Sequence, residues 1–466
     1  MDEKQNLGKN RKRKLQRGLN NRHVQLIAIG GAIGTGLFMG SGKTISAAGP
    51  SILLVYAIIG FVLYFVMRAM GELLLSNIQY RSFIDFSTDL LGPSAGFFIG
   101  WSYWLCWIVT GAADIIAIIN YTQFWWPAIN PWIPVFACMF VFLTFNLVAV
   151  KLFGELEFWF SLIKVITILV LICVGFYMIF TGFISPNGTV ASVNNVWNDG
   201  NIFPRGVMGF FAGFQIAIFS FVGIELTGTT AAEIQDPGKV LPKAINSIPF
   251  RIVFFYIFSL FVIMSVTPWN QVVPDKSPFV QMFRLAGIPI AAGLINFVVL
   301  TAAASSANSG IFSTSRMVYG LATKKGAPKF LGKLSKNNVP SNALFFSCSC
   351  VLLSYIILLS FPSVIGAFTI VTTISAILFM FVWSVIIVSY IIYRRNRPEQ
   401  HETSIYKMPG GVFMCWIMLA FFAFIIYLLT LEPDTFIALK YAPLWFIFLG
   451  VMYFLSKKQN ISSDKT

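Results

Sequence analysis

Charge is the scarcest property of this 466-residue chain: Asp, Glu, Lys and Arg make up only 11% of it, and histidine occurs twice. A water-soluble globule is excluded, because a soluble surface takes about a quarter of its residues from the charged set. His23 and His401 lie in polar flanks, with no carboxylate and cysteine cluster to make a metal site or a nucleophile with its base. Neither an enzyme nor a metal cofactor is therefore expected. The six cysteines (Cys106, Cys138, Cys173, Cys348, Cys350, Cys415) sit in or beside apolar runs without disulfide spacing and read as small core hydrophobes. A cleavable signal peptide is also missing; residues 1–23 are polar and basic and read as a cytoplasmic tail. The net charge of +15 is scattered between apolar runs rather than gathered into one patch, which speaks against nucleic acid as a partner.

What is plentiful is apolar surface, at 57% of residues, arranged in runs of about 20, the length that crosses about 30 Å of hydrocarbon. The expected fold is an all-α polytopic membrane protein with twelve transmembrane helices and the lipid bilayer as its solvent. The spans fall near 24–48, 51–75, 96–126, 131–150, 157–181 and 206–230, then 249–268, 290–320, 342–361, 364–393, 411–431 and 438–456. Placing both termini in the cytoplasm leaves only Lys43, Arg205, Lys276, Arg284 and Lys440 of the 33 basic residues on the outer side, with Arg68 and Lys164 inside spans. That asymmetry is the one that membrane insertion favours. The location it implies is a plasma membrane, the inner membrane of a bacterium.

Two spans differ from the rest. The first contains Gly30-Gly31-Ala32-Ile33-Gly34-Thr35-Gly36, and glycine at that density weakens a helix by up to about 1 kcal/mol per residue. The sixth contains Phe219-Ser220-Phe221-Val222-Gly223-Ile224-Glu225, an acid just after glycine at membrane depth. If residues 24–181 form one five-helix unit and 206–393 a second, the breaks fall in the first helix of each, and the odd count inverts the second unit. Residues 411–456 then supply two added helices, and 457–466 a cytoplasmic tail. Paired interrupted helices are the strongest sequence pointer to a transporter's binding site.

The freed backbone offers chemistry. Amides of Gly34, Thr35 and Gly36 at a half-helix N-terminus suit a carboxylate. Carbonyls of Ala32, Phe219, Ser220 and Val222, with Ile33 in the same unwound segment, suit an ammonium group. Tight helix packing is the competing explanation of the glycines, and is preferred for Gly30 and Gly40. Charges inside spans cost roughly 2.5–3.5 kcal/mol each and are functional candidates. Lys164 in the fifth span is the first choice for proton coupling, against a lysine that snorkels to the interface. Glu225 and Asp114 are candidates for titration or gating, against a role in capping broken backbone. Arg68 and Glu72, four apart on one face, read as a structural ion pair or inner-gate element. The stretch Ser305-Ser306-Ala307-Asn308-Ser309 is small and polar, facing either a cavity or another helix.

In the stretch Leu19–Phe38, in Arg68–Leu75, in Phe219–Glu225 and in Ser313-Thr314-Ser315-Arg316-Met317, the chain resembles the amino-acid permeases of the amino acid-polyamine-organocation superfamily. The resemblance covers essentially the whole chain. It implies a LeuT-like five-plus-five inverted repeat, with helices 1 and 6 discontinuous and two extra helices, and a proton-driven import cycle without other cofactor. It also implies that Gly34 to Gly36 hold the substrate carboxylate, and that Lys164 stands where related sodium carriers bind an ion. Gly40-Ser41-Gly42-Lys43-Thr44, Thr229-Thr230-Ala231-Ala232-Glu233 and Ser404-Ile405-Tyr406-Lys407-Met408-Pro409 resemble the members that take glycine, D-alanine and D-serine. Asp114 is a departure, since members for larger amino acids have Glu there, and the floor of the pocket stays open on this point. The expectation is a monomeric proton symporter of small neutral amino acids. An exchanger and a non-transporting sensor are its rivals, while a channel lacks a repeated filter or charged ring.

Overall fold

The computed structural model describes residues 25, 29–148, 150–197, 201–229, 236–335, 337–358 and 364–463. The basic tail 1–23 and the Thr230–Glu233 part of one family stretch lie outside them. A short turn of helix over 29–32 leads to α1 (Thr35–Phe38) and α2 (Gly40–Ala48). After these come α3 (Ile52–Ser76), α4 (Phe83–Leu91), α5 (Pro93–Gln123), α6 (Trp132–Val148) and α7 (Val150–Phe180). Next are α8 (Gly206–Ala217), α9 (Leu226–Thr229), α10 (Pro237–Val266), α11 (Pro278–Leu285) and α12 (Pro289–Thr323). The chain closes with α13 (Ser341–Leu358), α14 (Val364–Asn396), α15 (Pro398–Thr403), α16 (Gly411–Leu428) and α17 (Pro433–Ser463). Among the described residues the only extended pairing is one bridge, Ile184 with Val190.

Nine helical stretches are long and apolar enough to cross a membrane, and three shorter apolar ones, Ile29–Phe38, Trp132–Leu147 and Ser341–Ile356, accompany them among the described residues. The fold is thus all-helical, with nine to twelve membrane helices. Proline sets several starts: Pro93, Pro237, Pro278, Pro289 and Pro398 each occupy the first turn of their helix, where a missing N–H costs nothing.

Three helix starts depart from the sequence reading by five residues or more, the fifth span beginning at Val150 rather than near 157. The seventh span begins at Pro237, not near 249, and runs through Pro242 and Pro249. Each proline removes one ladder bond, and the helix persists because Leu241, Ala244, Ile245 and Ile248 are buried against the bundle. The twelfth begins at Pro433 rather than 438, and likewise continues past Pro443.

Helix α5 lies at the centre, packed most extensively on α12 and α14. Its most apolar window is 83% buried, against 28% and 22% for α16 and α17, so the last two helices are peripheral. Trp107, Trp383, Tyr56 and Tyr256 fill the interior, while Phe61, Phe140, Phe180, Trp416 and Phe454 project outward. Such an apolar exterior needs hydrocarbon around it. Cys173 points outward as well, so it is not the core residue expected, while Cys106, Cys348 and Cys415 are buried.

A candidate binding site at two interrupted helices

The first span loses its winding at Ile33 and Gly34, and Gly34 adopts an extended conformation (φ −130°, ψ −154°) before α1 begins. In the sixth, α8 tightens into a 3-10 turn over Ile218–Phe221, then breaks at Val222 (ψ 135°) and Gly223 (φ +101°) before α9. The breaks touch. A Cβ at Gly223 would lie 2.7 Å from the carbonyl of Gly31, and one at Gly36 would lie 2.6 Å from the Cα of Ser220. Glycine at these two positions lets one backbone cross another. Gly30 and Gly40 instead abut side chains, Ser161 and Ile216.

Tyrosines hold the crossing. The hydroxyl of Tyr256 on α10 lies 2.7 Å from the carbonyl oxygen of Ala32 and 2.5 Å from that of Ser220. With one proton it donates to one of them at a time, and so bridges both breaks. Tyr56 on α3 hydrogen-bonds Ser220 Oγ at 3.0 Å, and Tyr56, Phe221 and Tyr256 pack edge-on or tilted behind the sixth-span break.

The expected backbone donors and acceptors divide into engaged and open ones. The Gly34 amide donates to Ala32 at 3.0 Å, so it is not free for a carboxylate, and the Ala32 carbonyl is not free for an ammonium group. Phe219 accepts from the amide of Val222 at 3.1 Å, and Ser220 from Tyr256. The expectations for Gly34 and Ala32 are corrected, because a break short enough to stay buried satisfies most of its own groups, while the carbonyls of Phe219 and Ser220 each accept one bond and keep a second lone pair. What stays open is the first-turn amides of Thr35, Gly36 and Leu37, as at any helix start. Among the described residues, the carbonyls of Ile33 and Val222 also accept no hydrogen bond. Ala32, Ile33, Thr35, Phe219, Ser220 and Val222 are all buried, so the crossing is closed to solvent.

Three buried ionisable side chains surround it. Asp114 on α5 accepts from Thr35 Oγ1 at 2.7 Å, and its Oδ2 has no partner among the described residues. Asp114 thereby joins the first-span break to the central helix. Glu225 accepts from the Gly223 amide at 3.2 Å and from the Tyr103 hydroxyl at 3.2 Å, which makes it a cap for the sixth-span break. Lys164 on α7 is 1% exposed and donates to the Gly30 carbonyl at 2.6 Å. It does not snorkel; it is tied to the backbone that leads into the first break.

Glu157 was not singled out from the sequence, yet it is fully buried and accepts from Ser305 Oγ at 2.6 Å. It lies two turns before Lys164 on one helical face, with Ser161 between, and the two charges are within electrostatic reach of each other. The polar stripe Glu157, Ser161, Lys164 was the available signal; its position at the edge of the span concealed it. Ser305 and Ser306 face this region, Ser306 Oγ lying about where a Cβ on Gly34 would touch it, at 3.1 Å. Asn308 accepts from Asn146 at 2.7 Å, so the small polar stretch on α12 turns to neighbouring helices.

Arg68 and Glu72 do not pair with each other. Arg68 donates to Asn246 at 2.7 Å and to the Lys407 carbonyl, and stacks on Tyr406. Glu72, fully buried, accepts from Tyr390 at 3.0 Å and from the Met408 amide at 2.6 Å, and contacts His401 Nδ1 at 2.5 Å. Both anchor the segment after α15, which competes for them more effectively than a neighbour one turn away.

Two interrupted helices crossing inside an apolar bundle, with buried ionisable groups at the crossing, define the architecture of a membrane transporter. The family comparison agrees: the amino acid permease model matches residues 23–465. The chain belongs to the amino acid permease family. It is 63% identical over 446 residues to the D-serine/D-alanine/glycine transporter of Escherichia coli (strain K12), covering 96% of this chain and 95% of that one. It is 52% identical over 450 residues to the amino-acid permease AapA of Bacillus subtilis (strain 168), covering 97% and 96%. To the aromatic amino acid transport protein AroP of Escherichia coli O6:H1 it is 39% identical over 450 residues, covering 95% and 96%. All three are named as carriers, not enzymes.

Proposed function

We propose that the protein is a secondary active transporter that imports glycine and small neutral amino acids, D-alanine and D-serine among them, by proton symport with alternating access. The observation that carries this reading is the backbone crossing of the two interrupted helices, beside which the first-turn amides of Thr35 and Gly36 and the carbonyls of Ile33 and Val222 have no hydrogen-bond partner among the described residues. Amides at a helix start take a carboxylate, and unpartnered carbonyls take an ammonium group. Thr35, Gly36, Ile33 and Val222 form the inner contacts of the substrate, with Gly34, Ala32, Phe219 and Ser220 as the wall. Identity to a relative named for D-serine, D-alanine and glycine supports the small-substrate assignment.

Lys164 carries the proton. Its ammonium holds the Gly30 carbonyl, and a charge-assisted bond of this kind is about twice as strong as a neutral one. Losing the proton weakens the tie on the first-span break, which couples protonation to the conformation of the site. Glu157 and Asp114 supply the counter-charge that makes a buried ammonium tolerable. The membrane potential adds about 2.3 kcal/mol per charge per 100 mV to drive accumulation. We assign twelve spans in a LeuT-like five-plus-five inverted repeat plus α16 and α17, functional as a monomer, with both termini in the cytoplasm. In that orientation Glu157 lies on the cytoplasmic side of Lys164.

The test is uptake of labelled glycine into proteoliposomes with and without an imposed acid-outside gradient, competed by D-alanine, D-serine, L-alanine and phenylalanine. Accumulation that needs the gradient and is blocked by the small amino acids is expected. Counterflow without any gradient dependence would make the protein an exchanger, and binding without uptake would make it a sensor.

A further inference from the structure

We propose that the protein has a second, outer site that binds the carboxylate of an amino acid before it reaches the crossing. The proposal rests on the reading above, with α11 on the outer side. A cavity of about 530 Å³ lies there between the end of α5, the Lys276–Arg284 segment and the start of α12. That volume is in the range of small-molecule sites and exceeds what packing alone leaves.

Its lining is one-sided in charge. Lys276 and Arg284 are both exposed at the cavity, neither has an ion pair among the described residues, and no acidic side chain lines it. Deeper in, the hydroxyls of Tyr121 and Ser277 are buried (3% and 5% exposed) with no hydrogen-bond partner among the described residues. A buried hydroxyl left unpaired costs about 1–3 kcal/mol, so two of them in the wall of one cavity point to an occupant with acceptor oxygens.

Two further polar groups are engaged in building the wall. Gln281 bonds the amide and carbonyl of Val273 and the carbonyl of Lys276, which fixes the loop carrying Lys276. Asn296 donates to the Tyr121 carbonyl at 2.8 Å and locks α12 to α5. What is left is a guanidinium, an ammonium, two hydroxyls and the side-chain amides of Asn120 and Gln123, all able to donate. A carboxylate, with its several lone pairs, matches that set, whereas an ammonium group alone does not.

The site is also connected inward. Tyr121 lies two turns beyond Asp114 on α5 and is within electrostatic reach of it. Phe279 of α11 packs edge-on against Phe38 of α1, with ring centroids 4.9 Å apart. A zwitterion held by its carboxylate at the mouth therefore sits on the elements that bound the inner crossing.

Saturation-transfer NMR on the full chain in nanodiscs, with acetate, glycine, ethylamine and inorganic phosphate as probes, tests the ligand class without requiring transport. Acetate and glycine should give signals and displace one another, and ethylamine should give none. Lys276→Gln with Arg284→Gln should remove the acetate signal, Tyr121→Phe should weaken it, and Arg205→Gln, which alters a cation outside the cavity, should leave it intact. An acetate signal unchanged in the double variant, or one displaced by phosphate but not by glycine, overturns the proposal. In proteoliposomes the double variant should raise KM for glycine about fivefold, with a smaller change in maximal rate, and its KM should no longer rise with salt. Wild-type chain that transports no glycine but binds acetate through these cations refutes the functional reading and leaves the outer anion site standing.

Discussion

Replacing Gly223 by alanine tests the backbone crossing more sharply than any polar substitution. Gly223 has φ +101°, and an added methyl group would lie 2.7 Å from the carbon and oxygen of Gly31 and 3.0 Å from the nitrogen of Ala32. These are main-chain atoms, so no rotamer change relieves the contact. The left-handed backbone costs an L-residue about 1–2 kcal/mol, and overpacking adds about 1–3, for a total of roughly 2–5 kcal/mol. Gly182 provides the control, because it has φ +59° with nothing within 4 Å of the added carbon. Gly182→Ala should therefore incur only the backbone part, roughly 1–2 kcal/mol. Unfolding in one detergent and equilibrium binding of labelled glycine, run side by side on the two variants, separate the contributions. Gly223→Ala should be the less stable by about 1–3 kcal/mol. It should also lose at least about tenfold in glycine affinity, since sub-ångström displacement of binding groups is enough for that. If the two variants match in both measurements, the breaks do not depend on each other, and the reasoning fails.

Other expectations follow from the same geometry. Lys164→Met should abolish gradient-driven accumulation while glycine binding persists; accumulation at the wild-type level would remove Lys164 from coupling. Glu157→Gln keeps the shape and a partner for Ser305 but removes the charge, so the pH profile of uptake should shift, and an unchanged profile would make Glu157 purely structural. Thr35→Val leaves Asp114 without its hydroxyl donor and should cost about 1–3 kcal/mol of stability, read from the unfolding transition. At the cytoplasmic face, hydrogen bonding from Tyr80 and the Arg397 guanidinium hold the Asp89 carboxyl below its ordinary value, despite some opposing burial. Its contribution is complete above the ordinary carboxylate value of about 3.9 and disappears as pH falls through the lower, folded value. Because the ion pair is half-exposed, Asp89→Asn should cost no more than about 1 kcal/mol at neutral pH and nothing in strong acid. A loss that grows on acidification would contradict that sign.

The membrane class was legible because hydrocarbon imposes a run length that nothing else in a sequence imitates. The breaks were legible for a related reason: glycine density and a buried acid are costly at membrane depth and persist only where the backbone does something unusual. Which backbone groups remain open was not. That depends on Tyr256, which is remote in sequence and reaches the carbonyls of Ala32 and Ser220 only after α10 packs against α3. Arg68 and Glu72 misled for a similar reason. Helical spacing places them together, but the segment from His401 to Met408 offers an amide, a carbonyl and an imidazole that no local rule anticipates. The start of α10 lies well before 249 because its buried face carries the helix through Pro242 and Pro249, which sequence pattern alone does not reveal. Glu157 is spaced two turns from Lys164, but it stands at the first residue of the span read over 157–181, where a charge is ordinary, whereas the helix itself begins at Val150.

The most direct measurement is a cryo-electron microscopy map of the full chain in nanodiscs with saturating glycine, compared with a map without it. The account predicts new density between residues 33–36 and 220–223, its carboxylate on the amides of Thr35 and Gly36 and its ammonium toward the carbonyls of Ile33 and Val222. Density for bound glycine elsewhere in the bundle, with the crossing unchanged and empty, would contradict it.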